Sequence, residues 1–137
     1  MKIAIINGPN LNLVGSREPG VYGSETFEHY FQKLRKKYEN IDFDYFQSNV
    51  EGELINEIQK AAQKMDGIIL NAGAYTHTSI AIGDAIAAIN IPVIEVHISN
   101  IEAREEFRKY SHISAKCSGT IFGFGLKGYA LAVESFL

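Results

Sequence analysis

Pro92-Val93-Ile94-Glu95-Val96-His97-Ile98-Ser99-Asn100-Ile101-Glu102-Ala103-Arg104-Glu105-Glu106-Phe107-Arg108 decides how this chain is read. Pro92 stands at the entry to an apolar, β-branched run, where a missing N–H does least harm to a sheet. Val93, Ile94, Val96 and Ile98 make that run a buried strand. Glu95 and His97 are two apart and therefore leave the strand on one side. Ser99-x-x-Glu102 then reads as a capping box that opens a helix, on which Arg104 and Arg108, four apart, share a face. A carboxylate, an imidazole, a helix N-terminus and two guanidiniums thus converge at one strand end. Taken singly, each has a plainer reading: a Glu or His satisfied within the core, and arginines that pair with Glu105 or face water. Together they suggest chemistry.

Outward from this stretch the chain alternates strand and helix. Lys2 to Ile6 is a strand stopped by Asn7-Gly8-Pro9-Asn10. Thr26 caps a helix carrying Phe27, Tyr30, Phe31, Leu34 and Tyr38 at helical spacing. Ile41 to Gln47 alternates like a strand. Ser48-x-x-Glu51 is expected to cap a second helix, with Leu54, Ile55, Ile58, Ala61, Ala62 and Met65 inward. Gly67 to Leu70 is a third strand, stopped by Asn71-Ala72-Gly73-Ala74. Ile80 to Asn90 reads as a helix apolar nearly all round except for Asp84, which suggests a subunit interface. Thr120 to Phe124 and Leu126 to Leu137 read as a last strand and helix.

Strands alternating with helices imply a parallel sheet covered on both faces. Five strands at this spacing fit the flavodoxin-like order 2-1-3-4-5, in an α/β fold whose ligands sit beyond the carboxyl ends of the strands. Strands one, three and four would be neighbours, so Asn10, Asn71 and the Glu95 to Ser99 cluster would face one cleft. At 137 residues the chain forms one domain. The stretch from about 11 to 24 has no period but contains Gly15, Pro19, Gly20 and Gly23 with Arg17 and Tyr22; it reads as a mobile lid.

Composition removes several classes of function. The chain is 46% hydrophobic and 21% charged, with net charge −3. No basic footprint points to nucleic acid, and no apolar run reaches the ~20 residues of a membrane span. The N-terminus lacks a signal-peptide pattern, and the single cysteine, Cys117, excludes an internal disulfide; both suit a cytoplasmic protein. Metal binding by His77, His97 and Glu95 lacks the usual ligand spacing. A flavin site would want a Ser/Thr-rich loop after strand one, where Pro9 and asparagines stand. A phospho-receiver would want acids where Asn7 and Asn71 stand. The lysines occupy exposed-looking positions, which disfavours a Schiff base. What remains is a small anionic ligand, bound by the backbone N–H groups of Ile98 and Ser99 at a helix start, beside a histidine able to act as general acid. A non-catalytic carboxylate- or phosphate-binding module on the same fold is the rival reading.

Three motifs carry a resemblance. Asn7-Gly8-Pro9-Asn10-Leu11-Asn12-Leu13 runs through Arg17-Glu18-Pro19 to Tyr22-Gly23. Asn71-Ala72-Gly73-Ala74 is followed by Thr76-His77-Thr78-Ser79. Glu95-Val96-His97-Ile98-Ser99-Asn100 is followed by Arg104-Glu105-x-Phe107-Arg108. In this order they resemble the type II 3-dehydroquinate dehydratases, from about residue 3 to 132. The resemblance implies a flavodoxin-like subunit, a homododecamer built from trimers, no cofactor, and elimination of water from 3-dehydroquinate in the shikimate pathway. It implies Tyr22 as the base, with Arg17 stabilising its phenolate, and Asn10 holding the enolate through a water. His97 would be the acid, oriented by Glu95. Asn71 with the Ile98 and Ser99 amides would cradle the carboxylate, His77 and Arg108 would bind ring hydroxyls, and Asp84 would reach a neighbouring subunit. Tyr110-Ser111-His112 stands where many members read His-Ser-Tyr, and the chain ends at Leu137, short of the usual tail. An unperturbed tyrosine has a pKa of about 10, so ionising Tyr22 at neutral pH costs about 4 kcal/mol; a guanidinium within ~4–6 Å lowers a pKa by ~1–3 units, which gives Arg17 its expected role.

Overall fold

In the computed structural model five strands form one parallel sheet in the order β2-β1-β3-β4-β5, as the alternation predicts. They are β1 (Lys2–Asn7), β2 (Asp42–Gln47), β3 (Gly67–Asn71), β4 (Val93–His97) and β5 (Gly119–Phe122). The helices are α1 (Phe27–Lys37), α2 (Glu51–Lys64), α3 (Ile80–Ala87) and α4 (Lys127–Glu134). The structure describes residues 1–16 and 24–137. Arg17 and Tyr22, with most of the expected lid, lie outside the described residues.

The period of two along the strands divides the core between the two sheet faces. Ile3, Ile5, Ile69, Ile94 and Val96 meet Phe27, Phe31 and Leu34 of α1 and Tyr129, Ala132 and Val133 of α4. Ala4, Ile6, Ile68, Leu70 and Val93 meet Leu54, Ile58 and Ala61 of α2 and Ile82, Ala85 and Ile86 of α3. Glu95 and His97 fall on the second face by the same alternation. They sit where that face runs out of helix and is covered instead by the connection around Ile113.

Three local expectations are corrected. Ser48 does not form a capping box with Glu51. Val50 is the N-cap residue of α2 and supplies no side-chain bond; Ser48 Oγ accepts the Val50 N–H at 2.9 Å and is hydrogen-bonded to Glu53. Ser99 does not open an α-helix either. Asn100 is the cap, its Oδ1 accepting the Glu102 N–H at 3.1 Å, and it begins a 3₁₀ turn of only Ile101–Ala103. A second 3₁₀ turn, Glu106–Lys109, follows. Arg104 lies extended between the two, so the chain bends where a helix was expected. Finally, α3 stops at Ala87 and does not run to Asn90; on it Ile80 is 64% exposed, and Ala81, Asp84 and Ala87 also face outward.

Candidate active site

The ends of β1 and β3 are drawn together by backbone contact. Gly8 N donates to Asn71 O at 2.7 Å, and a Cβ on Gly8 would lie 2.6 Å from Ala72 O. Only glycine fits that approach. Gly73 follows at φ +59° against Pro9, which turns the chain after β3 back over the strand ends. Under this junction is a buried polar knot. The Tyr129 hydroxyl donates to Asn7 Oδ1 at 2.7 Å and accepts from Asn71 Nδ2 at 3.0 Å. Asn71 Oδ1 accepts the Gly73 N–H at 3.1 Å.

A cavity opens beyond these ends. From β1 come Pro9 and Asn10, then Leu11, Leu13 and Val14; from β3 come Asn71, Gly73, Ala74 and His77. His97, Ile98 and Ser99 come from β4, and Ile101, Arg104 and Arg108 from the 3₁₀ connection. Asn10, Asn71, His77, His97, Ile98, Ser99 and Arg108 are therefore brought together as the sequence predicts. Glu95 stands behind His97 rather than in the cavity wall. Asp84 is exposed on α3 and does not line the cavity.

Glu95 is fully buried and His97 is 5% exposed. Glu95 Oε2 is hydrogen-bonded to His97 Nε2, which leaves Nδ1 as the ring nitrogen available to a ligand. Burial alone would raise the Glu95 pKa. The hydrogen bond and charge of His97, with the Ser114 and Thr120 hydroxyls, more than offset it and hold the carboxyl below its ordinary value. A buried carboxylate so partnered stays charged.

His77 lies with its ring centroid 6.2 Å from that of His97, the planes 23° apart. Its Nδ1 donates to Tyr110 O at 2.7 Å, which fixes the proton there and leaves Nε2 as an acceptor. Burial pushes the His77 pKa down; the Tyr110 carbonyl opposes this, and the charges of His97 and Arg108 reinforce it. His77 is therefore a neutral ring suited to accepting from a hydroxyl. Arg108 Nε donates to Glu105 Oε2 at 2.7 Å, so this guanidinium is held in place by an exposed acid. Because no α-helix begins at Ser99, a helix macrodipole adds nothing to anion binding there. Among the described residues, Arg104 and Arg108 bring guanidiniums to the cavity wall.

Asn10 takes the left-handed conformation, φ 68°, which asparagine tolerates better than most residues. Its N–H donates to Asn49 Oδ1 at 3.0 Å, and Gln47 Nε2 donates to the same oxygen at 3.1 Å and to Gly8 O at 3.1 Å.

A model of the family described as Dehydroquinase class II matches residues 1–137. The chain belongs to this family. It is 56% identical over 139 residues to a 3-dehydroquinate dehydratase of Campylobacter jejuni subsp. jejuni serotype O:23/36, with 100% of this chain and 87% of that protein covered. It is 55% identical over 138 residues to a 3-dehydroquinate dehydratase of Fusobacterium nucleatum, with coverage of 97% and 94%. The crystal structure of the type II dehydroquinase of Butyrivibrio crossotus superposes with a TM-score of 0.95 at 49% identity, covering 98% of this chain and 96% of that one.

Sequence reasoning missed several groups that shape this dehydroquinase-family site. Tyr129 reads as an apolar helix residue, and its partner Asn7 is 122 positions away. Ser111 and Ser114 lie in a stretch without periodicity. Thr120 was legible in principle, because it is the β5 register partner of Glu95. Asn49 follows a strand end with no motif of its own.

Proposed function

We infer that this chain is a type II 3-dehydroquinate dehydratase, and that the buried Glu95–His97 pair opening on the cavity supplies its acid. The substrate carries a carboxylate, a ring ketone and hydroxyls. In the proposed reaction Tyr22 removes the C2 proton as the ketone takes the electrons, giving an enolate. The enolate then collapses to form the C1–C2 double bond, the C1–O bond breaks, and His97 Nδ1 gives its proton to the departing hydroxyl, which leaves as water. The C3 ketone is the electron sink, so the step as written draws on no cofactor. The product is the conjugated enone 3-dehydroshikimate, an intermediate of the shikimate pathway.

The remaining roles are those the family resemblance implies, and for Asn10, Asn71, His77, Ile98, Ser99 and Arg108 their place in the cavity lining supports them. The Ile98 and Ser99 amides and Asn71 bind the substrate carboxylate, with Arg104 and Arg108 setting a positive field. The neutral His77 ring accepts from a ring hydroxyl through Nε2, and Arg108 donates to another. Asn10, aimed by its left-handed backbone, holds a water on the enolate oxygen. Arg17 stabilises the Tyr22 phenolate. Arg17 and Tyr22 are assigned from the motif they share with the family.

The outward apolar side of α3, with Ile80, Ala81 and Ala87 around Asp84, supports assembly into a homododecamer in which Asp84 reaches a neighbouring subunit. Sedimentation should give a particle far heavier than one chain; a fully active monomer would rule this out. The single cysteine, half-buried and without a second cysteine to form an internal disulfide, is consistent with a cytoplasmic location. Among the described residues no helix is long and apolar enough to cross a membrane. The function is tested by adding 3-dehydroquinate to the purified chain and following enone absorbance. A chain that binds the substrate but forms no enone would be a binding module instead.

A further inference from the structure

Glu95 is wholly buried, yet its two oxygens meet four donors. Oε1 accepts from Ser114 Oγ and from Thr120 Oγ1, the latter at 3.3 Å. Oε2 accepts from His97 Nε2 and from Ser111 Oγ, the latter at 3.4 Å. A carboxylate has about four lone-pair sites and no hydrogen of its own, so this shell matches the anion and not the neutral acid, which would bring a further hydrogen into a shell made of donors. The directions are fixed from outside. Ser111 Oγ already accepts the N–H groups of Ile113 at 3.1 Å and Ser114 at 3.0 Å, which leaves its hydrogen for Glu95. Thr120 stands beside Glu95 in the β4–β5 register. None of the three hydroxyl residues lines the cavity.

We propose that Ser114 and Thr120, with Ser111, are positioning residues for His97 that act through Glu95: they saturate both carboxylate oxygens, hold the anion, and keep Oε2 aimed at His97 Nε2 so that Nδ1 serves the substrate. This rests on the reading of His97 as the acid. Among the described residues, the other titratable and charged groups facing the pair are His77, Arg104 and Arg108 across the cavity and the Cys117 thiol behind Glu95. His77 is held neutral by burial and the thiol pushed up to about 12 by burial and the Glu95 charge, so neither supplies a competing charge near neutral pH.

The test compares Thr120→Val, Ser114→Ala and the double variant with Thr120→Ser, which keeps the hydroxyl. Two quantities are read against pH: kcat and KM for 3-dehydroquinate, and the ionisation of Glu95 by ¹³C-carboxyl NMR, its resonance assigned with Glu95→Gln. The double variant should lose about tenfold or more in kcat, the scale of hydrogen bonds to a charged group, with KM nearly unchanged. The acidic limb of kcat should move to higher pH together with the Glu95 titration. Thr120→Ser should behave as wild type. Thr120 is exposed on the edge strand, so Thr120→Val alone carries the test if Ser114→Ala fails to fold. A Glu95 resonance that titrates as in wild type overturns the proposal whatever the rate does. A resonance that moves while kcat stays at the wild-type value at every pH also overturns the proposal, because the hydroxyls would then hold the Glu95 anion without aiming His97; whether His97 is the acid is read separately, from the rate of His97→Ala.

Discussion

Tyr129 places its hydroxyl 2.7 Å from Asn7 Oδ1, at the point where α4 passes beneath the ends of β1 and β3. Tyr129 and Asn7 are both fully buried, and the same hydroxyl accepts from Asn71. One oxygen therefore ties two strand ends that carry site residues to a helix on the opposite end of the chain. Burial drives the Tyr129 pKa far up, so the group is a neutral donor and acceptor, not a second base.

Tyr129→Phe keeps the ring and its packing against Phe27 but orphans Asn7 Oδ1 and weakens the hold on Asn71. Each buried polar group left unpaired costs about 1–3 kcal/mol. The variant should fold, with an unfolding free energy from urea titration lowered by about 1–3 kcal/mol per orphaned group, and should turn over more slowly because Asn71 and Gly73 lose their anchor. An unchanged free energy would show that water replaces the hydroxyl.

The Glu95 carboxyl is held below its ordinary value of 4.5. A group with a depressed folded-state pKa stabilises the fold above the unfolded value and loses that contribution as pH falls through the folded one. Acid should therefore destabilise the protein progressively below about pH 4.5, through Glu95 among other carboxyls. Glu95→Gln removes one acceptor oxygen and leaves donors facing an amide N–H₂. It should be less stable at pH 7 and show a shallower loss of stability below pH 4.5, read from urea unfolding at several pH values. A slope equal to that of wild type would contradict the ionised assignment.

Much of this was legible in the sequence, and for a physical reason. The period of two in β4 puts Glu95 and His97 on one side whatever follows, and the strand–helix alternation implies a parallel sheet covered on both faces, which the order 2-1-3-4-5 fits. What failed was the end of each element. Ser48 and Ser99 both stand three residues before an acid, but competing local bonds, Ser48 to Val50 and Asn100 to Glu102, decide where each turn begins. Arg104 and Arg108 still converge on the cavity, carried there by two 3₁₀ turns and an extended residue instead of one helix face. Ser111 and Ser114 beside Glu95, and Tyr129 beside Asn71, were hidden because they come from irregular or distant segments, where no spacing rule operates.

Asn49 offers a test of how Asn10 is aimed. Asn49→Leu removes the acceptor for the Asn10 N–H, whereas Asn49→Asp keeps an oxygen there. We expect Asn49→Leu to lower kcat with little change in KM, and Asn49→Asp to retain most of the rate. Equal losses in both would show that the contact to Asn10 is not what matters.

Arg17 and Tyr22, assigned by motif alone, are expected to act as one unit. Tyr22→Phe removes only the ionisable oxygen, and Arg17→Lys keeps a charge but loses the planar fork. Each should lower kcat severely without changing the thermal midpoint, and the double variant should be little worse than either single one. Losses that simply multiply in this cycle would separate the two residues mechanistically.

The central claim is that His97, held by a buried Glu95, protonates the hydroxyl that leaves. Its most direct measurement is the rate of enone formation from saturating 3-dehydroquinate by His97→Ala beside wild type. The account predicts a kcat lower by ~10²–10⁴-fold, with a KM that stays within a few-fold of wild type because the carboxylate cradle and His77 are untouched. A His97→Ala enzyme that keeps more than about a tenth of the wild-type rate, a difference of only ~1.4 kcal/mol, would contradict it.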